Sequence, residues 1–300
     1  MLTYAICPFC KNKPQSKFFG LNDYLYCSNC KLAWLKKFPE PSYGDTYYKG
    51  TSTIFSLLFS PVGRFFYWLR SSYVGKKNIK LWVDVGAGEG SYLKTVPAEK
   101  RLGIEISASG RRIMENSGLK TMTEKQFLKY KSLKADVISF WHVLEHVENP
   151  WMYLGTAYKN LADKGLIIIG IPNFDSFEFQ LFKRNWFHLV PKHHLWHFSP
   201  KAIRKVLSLE GFKIIKIDYW SLEHHLTGIL QSFINKTSGS DSILHRLIKR
   251  AEDSPRFFLR DAFWSGFWLT VGLPVVVGFW IAGALFTKSG TIIILAEKKY

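Results

Sequence analysis

Residues 83–93, VDVGAGEGSYL, set Gly86, Gly88 and Gly90 behind an apolar run that carries one acid, Asp84. A glycine-rich turn after a strand lets the backbone approach a ligand closely. About twenty residues beyond Asp84, Glu105 ends the next apolar run, where a carboxylate can accept hydrogen bonds from two ribose hydroxyls. A dinucleotide fingerprint needs G-x-G-x-x-G so that pyrophosphate can reach a helix N-terminus. Here Ser91 stands at the third site, and the glycines run G-x-G-x-G. Asp84 and Glu89 add negative charge, which disfavours pyrophosphate and favours a cationic ligand. S-adenosylmethionine, with its sulfonium and ammonium groups, is such a ligand.

A second constellation lies at the N-terminus. The chain's 4 cysteines fall in two matched pairs, Cys7-Pro-Phe-Cys10 and Cys27-Ser-Asn-Cys30. Two such turns give a closed tetrahedral S4 site suited to structural Zn2+. With every ligand position filled, no catalysis is expected at that ion. The stretch between the pairs is long enough for a short hairpin, and the metal should supply folding energy that so small a unit cannot draw from burial. The first residues, MLTYAICPFCKNK, lack a charged n-region and an apolar h-region. A cytosolic N-terminus with reduced thiols is therefore expected.

These groups need elements to hold them. Residues 39–45 read as a turn-rich linker. Residues 54–70 read as one or two helices, with an interfacial membrane helix as the alternative. From residue 79 strands and helices alternate: strands at 81–85, 101–106, 120–122, 136–141 and 166–171, and helices from Gly90 and over 108–117 and 151–161. Ser199-Pro200 caps a further helix that ends at Gly211, and a strand follows over 212–220. This alternation predicts an α/β, doubly wound, mostly parallel sheet, with ligands at the carboxyl ends of its strands.

VDVGAGEG, GIEIS, DVISFWHVLEHVENP (136–150), IIIGIPNF (167–174) and HHLWHFSPKAIRKVLSLEGF (193–212) together resemble class I S-adenosylmethionine-dependent methyltransferases. The branch resembled includes quinone, sugar and other small-molecule methyltransferases, and a subset with a four-cysteine ribbon and a Tyr-rich linker like YGDTYYKG (43–50). The resemblance implies a Rossmann-like fold with an antiparallel last strand. It implies that Gly86, Gly88 and Gly90 line the methionine part of the cofactor, and that Asp84 supports the loop or the ammonium. Glu105 would hold the ribose, Glu124 or its neighbours would lie near the adenine, and Trp141 and His142 would lie beside the cofactor, facing substrate.

Methyl transfer is an in-line displacement, so the enzyme mainly aligns nucleophile and methyl. A hydroxyl or carbon acid also needs a base. The candidates are His142, Glu145, His146, His193, His194 and His197, with His142, His194 and His197 foremost. The alternative is that Glu145 and His146 cap a helix and tie loops together. Some relatives hold a divalent ion with Glu-x-x-Glu-His, but here His142 stands at the first position.

Residues 262–287, AFWSGFWLTVGLPVVVGFWIAGALFT, carry no charge. They are long enough to span a bilayer. However, Gly272, Pro274 and Gly278 interrupt them, and both flanks are basic: Arg246, Lys249, Arg250, Arg256 and Arg260 before, Lys288, Lys298 and Lys299 after. The strand read at 291–297 must pair with 212–220, which puts both ends of the segment on one side. A bent hairpin dipping into one leaflet satisfies both constraints; a helix pair buried in protein is the alternative.

The net charge of +18 and the 11 tryptophans fit an anionic, partly apolar surface such as lipid headgroups, with nucleic acid as the other polyanion. The expected organisation is a zinc ribbon over 1–45 and a methyltransferase domain over 46–300, with a membrane-associated helical insertion at 222–289. The expected function is methyl transfer to a small or lipid-linked acceptor at the cytoplasmic face of a membrane. RNA or protein methylation, and a catalytically dead binding module, are the alternatives.

Overall fold

The protein is described by a computed structural model that covers residues 4–15, 18–39, 53–75, 78–190, 193–239 and 259–299. Most of the 39–45 linker, the Tyr-rich stretch, the 45/46 boundary and the basic residues Arg246 to Arg256 lie outside the described residues. The chain forms two compact units. One comprises the described parts of Glu40–Gly170, Arg204–Ile217 and Ile293–Tyr300; the other comprises those of Met1–Pro39, Ile171–Ile203 and Asp218–Ile292.

The first unit is built on β3 (Ile79–Val85), β4 (Ala98–Ile104), β5 (Lys120–Met122), β6 (Ala135–Trp141), β7 (Leu161–Pro172), β9 (Phe212–Asp218) and β10 (Thr291–Lys298). Among the described residues these form one sheet, ordered β5-β4-β3-β6-β7-β10-β9. The first five run parallel in register. The last strand runs antiparallel: Asn173 beyond β7 donates to Gly290 ahead of β10, and Lys299 beyond β10 donates to Gly211 ahead of β9. This is the expected Rossmann-like methyltransferase topology. Trp82, Val137, Ile168 and Ile293 form the core of one face, under α1 (Thr53–Ser72).

Local signals set the helix starts. Ser107 caps α2 (Ala108–Asn116) and Thr123 closes a capping box on α3 (Glu124–Lys129). Asn149 and Pro150 open α4 (Pro150–Asn160). Ser199 Oγ accepts from the Ala202 amide at the start of α6 (Pro200–Leu209). One expectation fails: no α-helix follows the glycine loop, only a 3-10 turn at Leu93–Thr95. Pro97 forces Val96 into extended backbone, so the chain reaches β4 before two helical turns can form.

In the second unit, β1 (Tyr24–Cys27) and β2 (Leu32–Leu35) form the ribbon hairpin. Its first strand lies in the stretch between the cysteine pairs, as expected, but its turn is the second pair and its second strand falls beyond it; the other pairings of the described residues between the pairs are the isolated bridges Gln15–Tyr26 and Phe18–Leu21. β8 (Trp196–Phe198) adds to β2 as a third strand. The unit also holds α5 (Phe177–Phe182), a π-turn at Leu222–Leu226 and α7 (Thr227–Ser238). The apolar segment forms α8 (Leu259–Leu269) and α9 (Leu273–Leu285), bent by 61° at their junction. That bend is shallower than the full reversal a hairpin implies.

Candidate functional site

The glycine loop lies at the carboxyl end of β3. Gly86, Gly88 and Gly90 all take positive φ, at 73°, 58° and 75°. A side chain at Gly86 would run into Val143, and one at Gly90 would come within 2.7 Å of Met114 and Leu119. Two of the three glycines are thus required by protein packing as well as by backbone conformation.

Glu105 holds the loop. Its Oε2 accepts from the Gly88 amide at 2.8 Å and its Oε1 from the Ser107 amide at 2.9 Å. A carboxylate offers about four acceptor positions, so two bonds leave room for ribose hydroxyls. The 3-10 turn in place of a helix removes the N-terminal dipole that would attract pyrophosphate. Both features fit S-adenosylmethionine. Asp84 is buried and accepts from Ser139 Oγ at 2.6 Å, while Ser139 in turn accepts from Trp82 Nε1. Burial pushes the Asp84 carboxyl up to about 7. Glu124 opens α3 just beyond β5; burial, then the charge of Glu105, raises its pKa.

Trp141 and His142 end β6. The Trp141 ring lies so close over Gly170 that a side chain there would come within 2.6 Å of it. His142 takes φ 55°, an uncommon conformation for a residue with a side chain, and its amide donates to the Gly170 carbonyl. Its Nδ1 lies 3.0 Å from Glu145 Oε1. Burial alone would raise the Glu145 carboxyl, but the hydrogen bond to His142 and the charges of His142 and His146 outweigh it and hold the pKa below its ordinary value. An imidazole oriented by a buried carboxylate is the arrangement of a general base.

His194 and His197 belong to the other unit. His194 Nδ1 donates to the His188 carbonyl at 2.6 Å, which fixes its tautomer. His197 sits on β8, opposite Ala33 of the ribbon, buried among the rings of Phe18, Tyr24 and Trp186. The sequence reading missed a buried network there. Glu178 Oε1 meets His225 Nε2 at 2.8 Å and the Gly290 amide at 2.9 Å, and Glu178 Oε2 accepts from Trp186 Nε1. No motif announces it, because its members are far apart in the chain.

The sulfur atoms of Cys7, Cys10, Cys27 and Cys30 all lie within 4.8 Å of one another, and no disulfide joins them. A tetrahedral zinc would set them about 3.8 Å apart. Although burial opposes it, bonds from the Asn12 amide and from the other three thiols lower Cys10 to about 6. Burial pushes Cys27 up to about 11. The cluster fits a divalent ion.

Residues 59–217 match the family described as "Methyltransferase domain". An uncharacterized protein of Methanocaldococcus jannaschii, MJ1123, is 30% identical over 135 residues. That match takes in 45% of this chain and 65% of the relative, so the chain spans less than two thirds of its length. A SAM-dependent methyltransferase from Archaeoglobus fulgidus is similar with TM-score 0.48 and 17% identity, over 82% of this chain and 98% of that one. Geranyl diphosphate C-methyltransferase from Streptomyces coelicolor is similar with TM-score 0.47 and 11% identity, over 87% and 88%. The chain belongs to the methyltransferase-domain family.

Proposed function

We propose that this enzyme methylates a small or lipid-linked acceptor, such as a glycan precursor or quinone, at the cytosolic face of a membrane. In this reading α8 and α9 lie in one leaflet. The observation that carries the reading is the inverted sorting of α8 together with the apolar side chains that α8, α9 and their ends leave exposed. On α8 the buried residues are Asp261 and Ser265, while Phe263 is 64% exposed. Val271, Leu285 and Phe286 are each at least 65% exposed. Water-soluble helices bury their apolar stripe. A helix whose surroundings are lipid can turn that face outward. Arg260 and Lys288 flank the segment and suit anionic headgroups.

His142, oriented by Glu145, serves as the base that takes the acceptor's proton. Gly86, Gly88, Gly90, Asp84, Glu105, Glu124 and Trp141 surround the cofactor, which supplies the activated methyl group. The four cysteines hold one structural zinc, and one equivalent should copurify with reduced protein. The test of the acceptor is mass spectrometry of lipid and polar extracts incubated with the enzyme and methyl-labelled S-adenosylmethionine. Label in a lipid-extractable product supports this reading. Label confined to RNA or protein contradicts it.

A further inference from the structure

A lipid-linked acceptor needs a partner for its polar end, and one group of side chains in the ribbon-bearing unit can supply it. Lys31 Nζ lies 3.2 Å from Asp175 Oδ2, and Lys288 Nζ lies 2.7 Å from Asp175 Oδ1. Two cations thus share one carboxylate, which leaves the cluster net positive. Lys31 and Lys288 keep 43% and 30% of their side chains exposed, so a ligand can reach both. Exposed ion pairs add little stability, so folding alone does not account for the pairing.

The backbone fixes where these groups stand. Asn173 is fully buried. Its Nδ2 donates to the Ser289 carbonyl at 2.8 Å, its backbone amide donates to the Gly290 carbonyl at 2.8 Å, and its Oδ1 accepts from the Asp175 amide at 2.9 Å. The Phe177 amide donates to the Lys288 carbonyl at 3.0 Å. The Lys31 carbonyl accepts from Ser199 Oγ at 2.6 Å, next to the pairing of Leu32 with Phe198. All three side chains therefore leave from backbone that is tied to its surroundings.

An ammonium carries three donors, and Asp175 engages one from each lysine. A phosphate sets its oxygens at much the same spacing as a carboxylate. It can therefore bridge two ammoniums that a carboxylate already bridges.

The location adds to the chemistry. Asp175 follows the end of β7, and Lys288 precedes the start of the antiparallel β10. Both stand at the carboxyl edge of the parallel strands, where ligands bind in open α/β sheets. Lys288 is also the first charged residue after the apolar run 262–287. With that run in a leaflet, Lys288 lies at headgroup level.

We infer that Lys31 and Lys288, gathered by Asp175, bind the phosphate of the lipid-linked acceptor. This rests on the lipid-linked reading of the function. It narrows the acceptor to a phosphate-bearing amphiphile and sets the quinones aside.

The test is calorimetric titration of the full-length protein in nonionic detergent with farnesyl phosphate, farnesol and inorganic phosphate. Titration of the same samples with S-adenosylhomocysteine checks that they are folded. The wild type should bind farnesyl phosphate at least about tenfold more tightly than either of the others. A protein carrying Lys31→Gln and Lys288→Gln should lose about 10- to 100-fold for farnesyl phosphate, the range for lost charged hydrogen bonds, and change for farnesol by less than about twofold. Lys31→Arg with Lys288→Arg should keep most of the binding, because a guanidinium also takes phosphate. Undiminished farnesyl phosphate affinity in the double Gln variant would overturn the inference, as would equal wild-type affinity for farnesyl phosphate and farnesol. Either result leaves the lipid-linked reading standing. Inorganic phosphate bound as tightly as farnesyl phosphate would assign the lysines to free phosphate and overturn the inference too. A wild-type protein that binds neither amphiphile would instead overturn the lipid-linked reading beneath it.

Discussion

In the sheet unit, side chains sort as water sorts them. Trp82, Val137, Ile168 and Ile293 are inside, and charged residues such as Lys80 and Lys94 are outside. On α8 the sorting runs the other way, and α9 buries Val276, Gly283 and Ala284 while leaving Val275, Ile281 and Leu285 exposed. α8 buries Asp261 and Ser265, and α7 buries Gln231, Ser232, Asn235 and Ser238 beside Ile229 and Ile234. Gln231 bonds Asn235 at 2.8 Å, and Trp268 Nε1 donates to Thr237 Oγ1 at 3.1 Å. Buried polar groups are tolerated when they bond one another. The apolar faces left outside have no such reason in water, because exposing them loses about 25 cal/mol per Å2. In the proposed reading the difference teaches that one chain can be written for two solvents, so that the burial of α8 and α9 is read against lipid and that of the sheet against water.

The largest expected effect breaks the comparison outright. Replacing residues 264–286 with a short Gly/Ser bridge should move the protein from the membrane pellet to the soluble fraction while it still binds S-adenosylhomocysteine. High salt without detergent should not release the wild type, because apolar burial carries most of the attachment. Release by salt alone would reduce the attachment to charge.

A second test sharpens the contrast within the polar interior. Glu178 is fully buried and joins α5, the π-turn and the entry to β10. Glu178→Ala should destabilise the protein by about 3 kcal/mol, because it strands His225 and the Gly290 amide. Thermal unfolding in detergent reads this, and Glu178→Gln should lose less. An unchanged midpoint for Glu178→Ala would mean that the network adds nothing.

The smallest effect belongs to the sheet unit. The Asp84 carboxyl titrates at about 7 when folded, against 3.8 ordinarily. A raised folded pKa gives stability that is present below about 4 and is lost as pH rises toward 7. A bound ammonium favours the ionised carboxylate. S-adenosylhomocysteine affinity should therefore rise with pH up to about 7, by at most about tenfold per unit. Asp84→Asn should flatten that slope. A slope that survives the substitution would assign it to another group.

The sheet was legible because its strands are short apolar runs punctuated by glycine and by capping residues. The topology of the last strand was legible too, from the resemblance and the single apolar run at 291–297. Three things were not. The missing helix after the loop depended on Pro97, which lies just past the segment that looked helical. The third strand of the ribbon sheet is three residues long, Trp196–Phe198, and its partner is far away in sequence. α7 falls inside the helical insertion read at 222–289, but its bounds could not be read, because the face it buries mixes Ile229 and Ile234 with Gln231, Ser232, Asn235 and Ser238 and so carries no clean apolar stripe. At the site, the loop, Glu105 and His142 could be read from residue type and spacing. Ser139 could not, since register brings it to Asp84.

The central claim is that the loop held by Glu105 binds S-adenosylmethionine. Calorimetric titration of the intact protein with S-adenosylhomocysteine tests it most directly. The account predicts one ligand per chain, binding weakened by roughly 1–3 kcal/mol in Glu105→Ala, and no binding in Gly88→Val, where a branched side chain meets a left-handed backbone of φ 58°. Equal affinity in all three proteins would contradict it.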